Sequence, residues 1–82
     1  MTSEAHVIRQ VFLETIDVLG DRAVRAIIED LQRYHVFLYD QNLSLRDLAS
    51  GLREMMGEET TQFLIERIYL KLDELYGSTM PA

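Results

Sequence analysis

The chain has 82 residues, no cysteine, and a formal net charge of −6 from 14 acidic and 8 basic residues. That length allows one domain, the lack of thiols excludes disulfides and thiolate metal sites, and a negative field disfavours nucleic-acid backbones and anionic lipid surfaces. The longest apolar stretches, Val11-Phe12-Leu13 and Val36 to Tyr39, are far too short to span a bilayer. Met1-Thr2-Ser3-Glu4 lacks the basic and apolar regions of a secretory leader, so a cytoplasmic location is expected, with no membrane and no nucleic acid among the partners.

Hydrophobic periodicity predicts four helices, at about 4–19, 22–35, 45–56 and 58–75. In the first, Ser3 is a candidate cap, Gly20 a stop, and Ile8, Val11, Phe12, Thr15, Ile16 and Leu19 recur at spacings of three and four. Asp21 is the expected cap of the second, which carries Val24, Ile27, Ile28, Leu31 and Tyr34 or His35 on one face. Its other face is Arg25, Glu29, Gln32 and Arg33. Residues 36–43 form an apolar connector; with no second strand to pair with, it is expected to dock its side chains on the core. Ser44 opens the third helix with Asp47 in the capping-box position; Leu45, Leu48, Ala49, Leu52, Met55 and Met56 form its stripe, and Gly57 ends it. Thr61, Leu64, Ile65, Ile68, Leu72 and Leu75 form the stripe of the fourth, and 77–82 read as a frayed tail.

A shift of 37 residues aligns the sequence with itself. Leu19-Gly20-Asp21-Arg22-Ala23 falls on Met56-Gly57-Glu58-Glu59-Thr60, Ile27-Ile28-Glu29 on Leu64-Ile65-Glu66, Leu31 on Ile68, and Ile8-Arg9 on Leu45-Arg46. One helical hairpin cannot bury its own stripe, so the pattern predicts an all-α fold: a compact four-helix bundle made of two similar hairpins. At these residues, together with Ser44-Leu45-Arg46-Asp47-Leu48, the chain resembles the small archaeal Nitrosopumilus output domain over about residues 7–76. His35-Val36 departs from it, standing where that family tends to Tyr-Gly. The resemblance implies a regulatory, non-enzymatic helical module and assigns no site residues.

The residues offer little chemistry. Asp40-Gln41-Asn42-Leu43-Ser44-Leu45 starts like a calcium loop, but Leu45 stands where the sharp turn requires Gly and Gly51 where the closing Glu belongs. Turn chemistry followed by the Ser44 cap accounts for it instead. His6 is expected in solvent on the first helix and His35 near the last carbonyls of the second. Four isolated glycines make no phosphate loop, and there is no nucleophile elbow. Glu29 and Glu66 fall on polar faces, and no Glu-x-x-His motif supports a di-iron bundle. Neither catalytic residues, a metal nor a cofactor is therefore expected. A helix-turn-helix at Met56-Gly57-Glu58 is the nucleic-acid alternative, but its recognition helix would present Glu58 and Glu59 to phosphates.

Partner binding has the better residue-level support. Phe63 and Leu70 project opposite the stripe of the fourth helix, beside Arg67 and Glu74, and Leu13 is placed away from the apolar face of the first. Leu13, Phe63, Arg67, Leu70 and Glu74 are thus the candidate interface. The expected function is a protein-interaction or regulatory module, homodimeric or bound to another protein; a small-ligand sensor is the alternative, with helix-turn-helix DNA binding after it.

Overall fold

The structure is a computed structural model, and it describes residues 4–76. The Ser3 cap and the tail at 77–82 lie outside the described residues. Three α-helices follow in order: α1 (Glu4–Ile16), α2 (Asp21–Arg33) and α3 (Leu45–Tyr76), with a 3-10 turn, Asp17–Leu19, closing α1. No strand occurs among the described residues. The Cα radius of gyration, 12.7 Å, is close to the roughly 12 Å expected of a compact domain this long.

The helices pair through the stripes that the periodicity marks. Val11, Phe12, Ile16, Leu31, Leu48, Leu52 and Ile68 are fully buried, joined by Ile8, Leu38, Leu43 and Leu64. Val24, Ile27, Ile28, Ile65 and Leu72 pack on this cluster from its margin. Thr61 is buried on the same stripe, and its hydroxyl has no hydrogen-bond partner, a desolvation cost of about 1–3 kcal/mol.

α3 is not one straight rod. Thirty-two helical residues would extend about 48 Å at 1.5 Å each, whereas the longest dimension of the molecule is 39 Å. The bend is at Gly57, with φ 85° and ψ 171°, a left-handed-side conformation that L side chains rarely adopt. It divides α3 into arms at 45–56 and 58–76, and Arg53 Nε meets Glu58 Oε2 across it at 2.9 Å. Both side chains are half-exposed or more, so that pair adds at most about 1 kcal/mol.

Ser44 caps α3 as expected: Asp47 N–H donates to Ser44 Oγ at 3.1 Å and Leu48 N–H to the Ser44 carbonyl at 3.0 Å. The connector also behaves as expected, with Val36, Leu38 and Leu43 buried. An Asx turn, Asn42 N–H to Asp40 Oδ1 at 2.8 Å, organises the segment that resembles a calcium loop.

Several expectations are corrected. Asp21 is the first helical residue of α2, not its cap; Gly20 holds the cap position, with no side-chain cap bond, so Asp21 acts only through the helix dipole. α2 stops at Arg33, two residues early, because the chain turns into a left-handed His35. Tyr34 and His35 therefore leave the apolar face and are exposed. Leu19 and Leu75 lie on predicted stripes yet are exposed, since each follows the last fully buried residue of its helix, Ile16 or Ile68, in a turn beyond the packed cluster. Leu13 is half-buried against the core rather than pointing away from it.

Candidate interaction groove

Spacings of four, three and four place Phe63, Arg67, Leu70 and Glu74 along one side of the 58–76 arm. All four are exposed. Opposite them stands the end of α1, where the 3-10 turn leaves Val18 and Leu19 in solvent, Val18 at 86% exposure. The two walls enclose an open groove of about 380 Å³, lined also by Glu14, Thr15, Leu64 and Lys71. Four of the five residues proposed from sequence thus share one site. Leu13 is not among its lining residues.

The groove combines an apolar floor with charges of both signs. Phe63, Leu70, Val18 and Leu19 supply exposed apolar surface, and Glu14, Arg67, Lys71 and Glu74 are set among them. The Arg67 guanidinium lies over the Phe63 ring, 5.4 Å from its centroid, a contact worth about 0.5–1 kcal/mol at an exposed site. A shallower depression beside it is formed by Glu66, Tyr69, Leu70 and Asp73. Leu70 belongs to both, so the apolar surface continues onto Tyr69, itself 57% exposed.

Sequence reasoning missed the α1 wall. Its signal was Val18-Leu19 directly before Gly20: two apolar residues in the last turn before a helix stop have little core left to enter. It also missed Arg9, which donates from Nε to the Leu38 carbonyl at 2.7 Å and from a terminal nitrogen to the Asp40 carbonyl at 3.2 Å. Arg9 also lies 5.3 Å from the Tyr39 ring centroid. These contacts fasten the connector to α1.

The remaining candidates stay apart. His6 and His35 are exposed, as are Glu29 and Glu66, and Glu66 accepts a 3.4 Å hydrogen bond from Gln62. No group of three or more His, Asp or Glu side chains among the described residues is placed to hold a metal ion. No helix of the described residues is long and apolar enough to cross a membrane. Comparison with protein-family models, with curated proteins and with solved structures yields no match to this chain.

Proposed function

We propose that the protein is a non-enzymatic interaction module that forms a homodimer through the groove between the end of α1 and the 58–76 arm of α3. The observation that carries this reading is the convergence of Phe63, Leu70, Val18 and Leu19, each more than half exposed, on one surface. Scattered exposed apolar residues are ordinary, whereas a contiguous set rimmed by charge marks a surface that something covers. A second copy is the commonest cover for a small protein, and it adds buried area to a marginal core.

The architecture is read as two related hairpins. Gly20 and Gly57, 37 residues apart, have nearly the same backbone geometry, φ 94°, ψ 160° and φ 85°, ψ 171°, and an acid follows each. Leu31 and Ile68, at equivalent positions, are both fully buried, as are Val11 and Leu48. These agreements favour the repeat, and with it the four-helix description in which the arms of α3 count as separate helices. The likeness to the archaeal output domain and a cytoplasmic setting belong to the same proposal.

The experiment is light scattering coupled to size exclusion at about 100 μM, a concentration that reveals micromolar dimers. A wild-type dimer, and a helical monomer for Phe63→Glu combined with Leu70→Glu, support the reading; a wild-type monomer contradicts it. A ligand-sensor reading has the groove's volume in its favour, about 380 Å³, within the range of small-molecule sites. Duplex DNA binding has less support: one non-helical residue, Gly57, separates the arms, where a helix-turn-helix uses a turn of three or four.

A further inference from the structure

The charges along the 58–76 arm distinguish the orientations open to a second copy. Along the 58–76 arm the order is Phe63, Arg67, Leu70, Glu74: a cation and an anion seven residues, about 10.5 Å, apart, with an apolar residue between them. Neither residue is ion-paired among the described residues. The pairs Arg33–Asp30 and Arg53–Glu58 involve neither of them, and the Arg67 guanidinium lies over the Phe63 ring, 5.4 Å from its centroid. A guanidinium has five N–H donors, so a contact with one ring still allows exposed Arg67 to reach a carboxylate.

An isologous contact along this arm has two forms. With the arms parallel, Arg67 faces Arg67 and Glu74 faces Glu74, so every charged contact repels. With the arms antiparallel about an axis beside Leu70 and Lys71, the midpoint of the 67–74 interval, Arg67 of each copy meets Glu74 of the other. Leu70 then packs on Leu70 at the axis. Lys71, which also lines the groove, comes close to its own copy in both forms and so favours neither. We propose that the homodimer is antiparallel along this arm, with Arg67–Glu74 pairs made twice across the twofold. This inference rests on the homodimer reading above. Rim charges of this kind set register more than affinity.

The test is sedimentation equilibrium of the full chain at about 50 mM salt, where surface charges are least screened. It compares wild type, Arg67→Glu, Glu74→Arg and the double exchange. Both residues are exposed, and circular dichroism checks that each variant keeps its helix content. Each single variant turns two attractions into two repulsions and is expected to raise the dimer Kd about tenfold. The double exchange restores both pairs and should return Kd to within about threefold of wild type. It lacks the Arg67–Phe63 stacking just as the Arg67→Glu single does, so recovery isolates the charge register. If wild type dimerises but neither single variant shifts Kd, or the double variant fails to recover, the antiparallel pairing is wrong and the homodimer stands. A wild-type monomer overturns both.

Discussion

His35 carries the backbone strain that is easiest to test. It has φ 64°, alone in that region among the described non-glycine residues, and it closes α2 in a Schellman motif. Val36 N–H donates to the Leu31 carbonyl at 2.9 Å and His35 N–H to the Gln32 carbonyl at 3.0 Å. Glycine is the usual occupant of that position because a side chain there costs about 1–2 kcal/mol. His35→Gly relieves that strain but adds unfolded-state freedom of about 0.5–1 kcal/mol, so a net stabilisation of about 0.5–1 kcal/mol is expected. A thermal melt reads this as a rise of several degrees; a fall would show that the imidazole holds the corner. This boundary was hidden in the sequence because the residue that usually announces it is missing. Ser44 was legible for the opposite reason, since its hydroxyl does what an N-cap hydroxyl does wherever helical periodicity begins.

At the scale of elements, the corner that follows α2 seats against the 45–56 arm through Gly51. A Cβ built on Gly51 falls 2.6 Å from Val36 Cγ2 and 3.3 Å from Leu31 Cδ2, so the helix can approach only because that position has no side chain. Val36 is β-branched and buried, and it yields poorly. Overpacking of about 1–3 kcal/mol therefore outweighs the roughly 1 kcal/mol that alanine gains over glycine in a helix, and Gly51→Ala should destabilise. In a Val36→Ala background the same substitution should become neutral or stabilising by up to about 1 kcal/mol. Urea melts of the four proteins decide it, and an equal effect in both backgrounds would show that the contact is not tight.

The elements themselves were readable because the core positions keep strict three–four spacing through Ile8, Val11, Phe12 and through Leu64, Ile68, Leu72. Helix ends were less so: periodicity continues through Leu19 and Leu75, but packing does not. A helical wheel also treats a face as binary, which is how Leu13, half-buried at the margin of the core, was assigned to the outside. Phe63, Arg67, Leu70 and Glu74 were legible because the arm is regular and their face lies opposite its stripe. Val18 and Leu19 were not, since their exposure depends on where α1 ends relative to α3.

For the whole molecule, a small core and an uncovered apolar groove are two sides of one property. A chain of this size buries only about 60–65% of its unfolded surface, and this one leaves Phe63, Leu70, Val18 and Leu19 in solvent on one groove. Pairing would bury both surfaces at once, and the mixed charge among them gives the pairing an orientation. The most direct measurement of that central claim is a dilution series followed by amide chemical shifts on the wild-type chain. Between about 1 mM and 10 μM, a span that brackets dissociation constants of about 30–300 μM, concentration-dependent shifts are expected at residues 14–19 and 63–74, with the Schellman corner and connector unchanged. Shifts absent throughout, or centred on the connector around Phe37 and Tyr39, would contradict the account.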